Sequence, residues 1–512
     1  MAYVIAYDIG TTGVKTCLYD VRDKVTLVCA KKAEYNLYIL DNGGAEQDPE
    51  EWWDAMCTTT KEVLSTTKIN ANDIKGISFC TQMQGLILVD KEGRHLRRAM
   101  SYMDQRATKE IKEGIDYGIT VAGINARQLI TSLRLTGAVS SSVKDPVWKY
   151  KWVERNEKDV FKRVYKWLDV KEYLLLRTTG EFVMTEDSAY STFLYASKGG
   201  KRGWSDTLCS LYGVNKDHLP RLVKTTDMVG GLTKKAAEEL GLAEDTPVFG
   251  GGGDATLIGV GAGCVKPGQT HIYWGTSGWV STIVEKQIVD INSMIAAIVG
   301  AEDGKYNYFA EMETAGKSME WVKNNVATVE RFEEMIDMAT KSAPGANGVL
   351  FAPWLHGNRC PFEDPNAYGL FYNLKIETTK NDMIRAAIEG ICFHLRWMLE
   401  CQDKKIKTSD AVRFVGGGAI SEEICQILAD ILGRKVETVK DPRNVGAVGA
   451  AMIVGVGLKK IDSLSDVGQF LPIERTFIPN FDNKDVYDKN FRAFKMLYHE
   501  NKKIFKRFNS HR

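Results

Sequence analysis

The stretch Tyr3–Asp20, YVIAYDIGTTGVKTCLYD, decides how the rest of the chain is read. An apolar run from Tyr3 to Tyr7 ends at Asp8, and the turn Gly10-Thr11-Thr12-Gly13 follows. Val14, Thr16 and Leu18 then alternate with a period of two, so the spacing predicts a β-hairpin. Glycines in such a turn let backbone N–H groups approach an anion closely, and Thr11 and Thr12 add hydroxyl donors. Asp8, at the end of the strand, could hold a hydrated Mg²⁺ beside bound phosphates. The same residues could also do no more than satisfy the geometry of a turn. A second copy of the pattern weighs against that: His271–Val284, HIYWGTSGWVSTIV, again reads strand, Gly275-Thr276-Ser277-Gly278, strand. A turn needed only for chain reversal has no reason to recur with the same hydroxyls. Two domains facing each other across a nucleotide need it twice.

The length supports two domains. A single core stops growing near ~250–300 residues, and the chain has 512, of which 44% are hydrophobic and 26% charged. A net charge of +1 offers no general pull on nucleic acid or acidic membranes. The ten cysteines form no C-x-x-C pair and no zinc spacing, and Cys80, Cys392 and Cys425 fall in apolar segments, as in a reduced cytoplasmic protein. The amino terminus enters a strand at once, which leaves no room for a signal peptide. No apolar run reaches the ~18 residues of a bilayer span.

Along the chain, Val25–Lys32 reads as a third strand. Asp48, Pro49, Glu50 and Glu51 then start a helix expected to run to about Thr66. Ile74–Cys80 and Gly85–Val89 read as strands, and between them Gln82-Met83-Gln84, with its two side-chain amides, either suits a hydroxylated ligand or is a plain loop. Asp104 could accept from two sugar hydroxyls with Arg106 orienting it, or the two could form a surface pair. Helical spacing is read over Asp145–Glu154 and Asp159–Arg177, with Trp148, Trp152, Tyr165, Trp167 and Tyr173 as core aromatics. Lys234–Leu240 is a short helix ended by Gly241.

Pro247–Gly263, PVFGGGGDATLIGVGAG, runs from a short strand through four glycines to Asp254 at the start of a small-residue helix. Asp254 serves there either as an N-cap or as a carboxylate that takes a proton from a substrate hydroxyl. Lone His356 lies in an irregular loop, and His394 sits beside the apolar face of a long helix, Thr379–Cys401. Val412–Arg434 carries a strand, Gly416-Gly417-Gly418-Ala419, and Ser421 as an N-cap. Bare glycine backbone suits a flat ring, and Glu422 and Glu423 disfavour phosphate, so a base or ribose is expected there. Asn444–Val454 is a small-residue helix able to pack closely, and Asp485–Arg512 an amphipathic basic helix with a solvated charged face. No Walker-A sequence is present, so a nucleotide would be held by hairpins.

Together these stretches resemble the FGGY carbohydrate kinases over nearly the whole chain, from Tyr3 to about Val454. DIGTTGVK (Asp8–Lys15) resembles the first phosphate motif, GTSG (Gly275–Gly278) the second, and GGGDATLIGVGAG the motif with the catalytic base. Gly345–Leu374 is similar to the signature region, and GGGA with QILADILGR to the adenosine motif. The resemblance implies an α/β fold of two ribonuclease-H-like (actin/hexokinase/Hsp70-type) domains facing across a cleft. It implies a sugar-binding domain over residues 1–248, an ATP-binding domain over 249–484, and the basic helix over 485–512. It further implies ATP and Mg²⁺ as cofactors, with Asp254 catalytic and Asp8 at the metal. Gly10, Thr11, Thr12, Lys15, Gly275, Thr276 and Ser277 would lie at the ATP phosphates, and Gly417, Gly418 and Ser421 at adenosine. Gln82, Met83, Gln84, Asp104 and Arg106 would lie at the substrate.

Within the family the chain looks most like xylulokinases. It departs from them at Met83-Gln84, where they carry Met-His, and at Ala255, where they carry Asn or Gln. Gluconate, ribulose and glycerol-type substrates therefore stay open. The other readings on the same fold are a chaperone or filament ATPase, for which the chain leaves no room for a peptide-binding module, and a silent sugar sensor. No nucleic-acid or membrane partner is expected, and a homodimer is compatible with the sequence.

Overall fold

In a computed structural model of the chain, which describes residues 3–509 apart from 23, 122, 199 and 201, two compact units form. The first comprises Met1–Gly263, Ile298–Tyr306 and Gly446–Phe470, the second Cys264–Ala297, Asn307–Val445 and Leu471–Arg512. The chain thus crosses between the units more often than a single boundary at 248/249 would have it. Residues 249–263, with Asp254, lie in the first unit.

The first unit is built on a sheet of β1 (Tyr3–Ile9), β2 (Gly13–Asp20), β3 (Thr26–Glu34), β4 (Ile74–Thr81), β5 (Met228–Gly231), β6 (Pro247–Phe249) and β7 (Gly252–Gly253). Its order is β5-β6-β4-β1-β2-β3, with β7 also paired to β4. The predicted hairpin is there, with Asp8 opposite Lys15, and β2 pairs antiparallel with β3. β1, β6 and β7 all run parallel to β4, matching Asp8 with Cys80 and Gly252 with Cys80.

Helix α1, Pro49–Thr67, starts where expected: the Asp48 side chain caps it by accepting from Glu50 N. It buries Trp52, Trp53, Met56 and Val63, and Thr59 and Thr60 reach the sheet through hydroxyl bonds to Thr16 (2.7 Å) and Tyr7 (2.9 Å). The helix Val445–Gly457 returns to this unit because its glycines permit backbone contact. A Cβ on Gly449 would stand 2.3 Å from the Leu257 carbonyl oxygen, and one on Gly457 2.3 Å from the Phe249 ring.

One of the two segments expected as helices differs. Pro146–Asn156 (α2) is helical, but Asp159–Arg177 is not one helix. Trp167 lies in a strand, Lys166–Leu168, paired with Ile87–Val89, and Asp169 then caps a new helix, α3 (Val170–Thr179). Trp148, Trp167 and Tyr173 are buried as expected, whereas Tyr165 is exposed.

The second unit repeats the plan. Its strands are β8 (Thr270–Trp274), β9 (Gly278–Val284), β10 (Val289–Asp290), β11 (Ile295–Val299), β12 (Tyr306–Met312), β13 (Ala411–Gly416), β14 (Lys435–Val439) and β15 (Ile473–Phe477), in the order β10-β11-β12-β9-β8-β13-β14-β15. A hairpin leads, its first strand runs parallel to β13, and β13 runs parallel to β14. Both units therefore have the ribonuclease-H-like core, a hairpin continued by parallel strands, and the α/β fold is that of the actin/hexokinase type.

The long helix spans Lys380–Asp403, with Thr379 and Asp382 forming a reciprocal cap, and Ile384, Ala387, Ile388, Ile391, Cys392 and Leu395 are fully buried along it. His394 is structural: it lies within bonding distance of the Cys360 carbonyl (2.7 Å), accepts from the Trp354 indole, and burial pushes its pKa down to about 4. The basic tail is helical over Lys484–Asn509, with residues 510–512 outside the described ones. Its apolar face packs Tyr498 on Phe362 (ring centroids 3.4 Å apart) and Phe494 on Trp354 (5.8 Å). The ten cysteines are all free and mostly buried. Among the described residues no helix is long and apolar enough to cross a membrane.

Candidate active site

The register of the first sheet collects most of the predicted residues at one end. Asp8, Cys80 and Gly252 stand side by side on three neighbouring strands, so Asp8 and Gly252 are two strand spacings, about 10 Å, apart. Burial pushes the Cys80 thiol well up, and the carboxylates of Asp8 and Asp254 add to the shift. The turn after β1 is braced: Tyr35 donates its hydroxyl to the carbonyls of Gly10 (2.5 Å) and Gly13 (3.0 Å), and Gln47 Nε2 donates to that of Thr11 (2.6 Å). Thr11 is half-buried, with its hydroxyl 3.3 Å from that of Tyr102, and Thr12 is exposed.

Lys15 reaches back to Asp8 with 3.7 Å between Nζ and Oδ2. Burial raises the Asp8 pKa, opposed by the Lys15 charge. A Cβ on Gly446 would stand 2.9 Å from Cys80 Sγ and 3.4 Å from the Asp8 carboxylate, so glycine there lets the helix Val445–Gly457 pack closely on the ends of β1 and β4. Among the described residues no group of three or more His, Cys, Asp or Glu gathers as a metal site. Asp8 fits a Mg²⁺ ligated mostly by water and phosphate.

The loop after β4 carries the predicted sugar contacts. Gln82 Nε2 donates to Gln47 (2.9 Å), which ties this loop to the Gly10–Gly13 turn. Met83 and Gln84 are half-buried, and Gln84 has a φ of +64°. Asp104 is another matter. It is fully buried, and its carboxylate accepts from Ala45 N (2.9 Å) and from the Arg106 guanidinium (2.7–3.2 Å). Arg106 lies over Trp152, 4.5 Å from the ring centroid, and also binds Glu46. Arg106 does orient Asp104, but Asp104 is enclosed as a support for the Ala45–Gln47 strand and does not present its oxygens to a sugar.

Asp254 is half-buried at the first position of α4 (Asp254–Gly261), where its Oδ1 accepts from Ala255 N (2.8 Å). The N-cap position itself is held by Gly253, which has no side chain to cap with, so Asp254 satisfies a first-turn N–H from inside the helix. Gly253 is held from behind: its N–H donates to Asp187 Oδ2 (2.8 Å), and a Cβ on it would stand 2.0 Å from Met83 Sδ.

In the second unit, Trp274 pairs with Gly416, so the Gly275–Gly278 turn and the Gly416–Gly418 run sit side by side at the ends of parallel strands. The turn is anchored to the start of α5 (Gly316–Val322): Gly316 N donates to the Gly275 carbonyl (2.8 Å), and Ala315 N to that of Thr276 (3.0 Å). Thr276 is exposed and Ser277 half-buried. Gly417 is exposed, and a Cβ there would meet only the Trp274 carbonyl oxygen at 3.8 Å. A Cβ on Gly418 would press into the Trp274 ring at 2.7 Å, so that glycine is explained by tryptophan packing. Ser421 caps α6's successor in the chain, α7 (Glu422–Leu432), where α6 denotes Lys380–Asp403; its hydroxyl accepts from Ile424 N. Glu422 and Glu423 are taken up by Arg475 and Ser421. His356 is exposed.

Tyr35, Gln47, Lys149, Asp169, Lys171 and Asp187 shape the site without having been singled out in the sequence. The only local signal was charge inside an apolar segment, Lys171-Glu172 between Val170 and Tyr173.

Twin turns of this kind, each at the end of a ribonuclease-H-like sheet and one beside an acid at a helix start, belong to the actin/hexokinase class of fold, and the family match places this chain among its sugar-phosphorylating enzymes. The chain belongs to the FGGY family of carbohydrate kinases, whose N-terminal domain matches residues 3–261 and C-terminal domain residues 271–458. It is 30% identical to a xylulose kinase of Staphylococcus epidermidis over 98% of this chain and 97% of that one. A crystal structure of ligand-bound xylulose kinase from Lactobacillus acidophilus has a TM-score of 0.88 at 25% identity, covering 99% and 100% of the two chains. A gluconate kinase structure from the same organism has the same score and identity, covering 99% of each chain.

Proposed function

We propose that the enzyme transfers the γ-phosphate of ATP to a hydroxyl of an open-chain ketose of the xylulose type, with Asp254 accepting the hydroxyl proton. The observation that carries this reading is the strand register, which sets Asp8, the braced Gly10–Gly13 turn and the start of the Asp254 helix at one end of one sheet. Gly10, Thr11, Thr12 and Lys15, and in the second unit Gly275, Thr276 and Ser277, donate to the phosphates. Gly417 offers bare backbone to the adenosine, with Gly418 and Ser421 fixing that loop. Asp8 would hold a hydrated Mg²⁺, whose charge offsets that of the β- and γ-phosphates. Gln82, Met83 and Gln84 orient the sugar, and Arg106 with Asp104 stiffens the neighbouring strand. Phosphoryl transfer asks mainly for positioning and charge stabilisation, which these groups supply. ATP as co-substrate and free, buried thiols suit the cytoplasm.

A sugar acid is the second reading, left open by Gln84 and Ala255 and favoured by the equal structural match to the gluconate kinase. Coupled ADP release across pentuloses, hexuloses, sugar acids and polyols separates the two. With the best substrate, Asp254→Asn is expected to lower kcat by about 10²–10⁴-fold, the range for loss of a general base, while ATP still binds. Near-normal turnover of that variant would remove Asp254 from the role.

A further inference from the structure

The turn that opens α3, Asp169-Val170-Lys171-Glu172, lies beneath two parts of this site at once. Asp169 accepts from Gln84 N and Gly85 N, each at 2.8 Å, while also capping α3 through Val170 N. From α2, the fully buried Lys149 donates its ammonium to the Gln84 carbonyl (2.8 Å). Gln84 is thus gripped at both its N–H and its C=O, in a left-handed conformation that a non-glycine residue keeps only when its surroundings over-determine it.

Two residues further along, the fully buried Lys171 binds Thr185 Oγ1 (2.6 Å) and Ser188 Oγ (3.0 Å) and stands between two buried carboxylates, 3.4 Å from Glu172 Oε1 and 3.5 Å from Asp187 Oδ1. Asp187 uses its other oxygen to hold Gly253 N–H, one residue before Asp254. Burial alone would raise the Asp187 pKa, but the Lys171 charge, the Thr185 hydroxyl and the Gly253 N–H outweigh it and keep the carboxylate ionised. A buried charge is costly unless paired, and a pair left on stability grounds alone is often replaceable by apolar groups. Here Asp169, Lys149 and Asp187 end on backbone groups of the two loops assigned to the substrate, and Lys171 pairs Asp187.

We propose that Lys171 and Asp187 are positioning residues for Asp254, and Asp169 and Lys149 positioning residues for Gln84, so that one helical turn sets both the proton acceptor and the sugar contact. This rests on the roles assigned above to Asp254 and Gln84. Steady-state kinetics with the best sugar test it, because the two arms have different signatures. Asp187→Asn should lower kcat at least about ten-fold with KM for sugar and ATP within about two-fold, since small misplacements of a reacting group are costly in rate. Asp169→Asn should raise KM for the sugar at least about ten-fold with kcat changed less than about three-fold. Lys171→Met should copy the first pattern and Lys171→Arg restore part of it. Should either Asn variant fail to fold, Lys171→Arg against Lys171→Met decides the kcat arm and Lys149→Arg the KM arm. Equal losses in kcat and sugar KM from both arms, or unchanged kinetics in folded variants, overturn the proposal while the reaction stands. Absence of sugar-dependent ADP release by the unsubstituted chain overturns the reaction and this proposal together.

Discussion

Replacing Lys149 with methionine should change how the stability of the first unit depends on pH, and the size of the change follows from its burial. The ammonium is fully enclosed, and burial pushes its pKa from 10.5 down to about 8, against the opposing charges of Asp104, Asp169 and Asp145. Between those values the unfolded chain holds the proton more firmly than the folded one, so stability rises with pH across this window. Below pH 8 the full penalty applies, about 3 kcal/mol for a depression of this size at 1.36 kcal/mol per unit. By pH 10 it has shrunk to about 1 kcal/mol. Methionine carries no such penalty at any pH. The difference in unfolding free energy between wild type and Lys149→Met, from urea titrations followed by tryptophan fluorescence, should therefore move by about 2–3 kcal/mol in favour of wild type from pH 7 to pH 10. A difference that stays flat would mean that the ammonium is solvated in the folded protein, and the picture of a charge held at a cost for the sake of Gln84 would fail.

The glycines after β13 should separate structural from ligand roles. Gly418→Ala drives a methyl into the buried Trp274 ring and should cost about 1–3 kcal/mol of stability, read as a lower melting temperature. Gly417→Ala meets open space and should leave the melting temperature unchanged while raising KM for ATP; a Gly417→Ala variant as unstable as Gly418→Ala would refute the distinction. Arg106→Lys loses both the planar grip on Asp104 and the stack on Trp152, so it should destabilise the protein by about 1–3 kcal/mol, with a wild-type melting curve as the refuting result.

The two hairpins could be read from the sequence because both signals, period-two alternation and a Gly/Thr/Ser turn, are carried by consecutive residues. The starts of α1 and the long helix were equally local, written in Asp48-Pro49 and in Thr379. Asp159–Arg177 was misread for the opposite reason. Its apolar spacing suits a helix, but Trp167 finds Leu88 across a strand pair and Asp169 is drawn to the Gln84–Gly85 backbone, and neither partner is visible from within the segment. Asp104 beside Arg106 was legible as a pair, but its complete burial depends on the Ala45 N–H, brought in by another strand.

By itself, then, the order of residues determined the repeated strand-turn-strand units, the carboxylate at a helix start and the membership of a kinase family. Each of these is a short-range pattern that no distant contact can erase. Only tertiary structure decided that Gly418 answers to a tryptophan ring, that Gly253 is fixed at the N-cap position by Asp187, and that the buried charges of Lys149, Asp169 and Asp187 end on the backbone of the substrate loops, with Lys171 pairing Asp187 from behind. Those outcomes turn on which groups meet after burial, where the energy of a charge or of a missing methyl is set by neighbours far away along the chain.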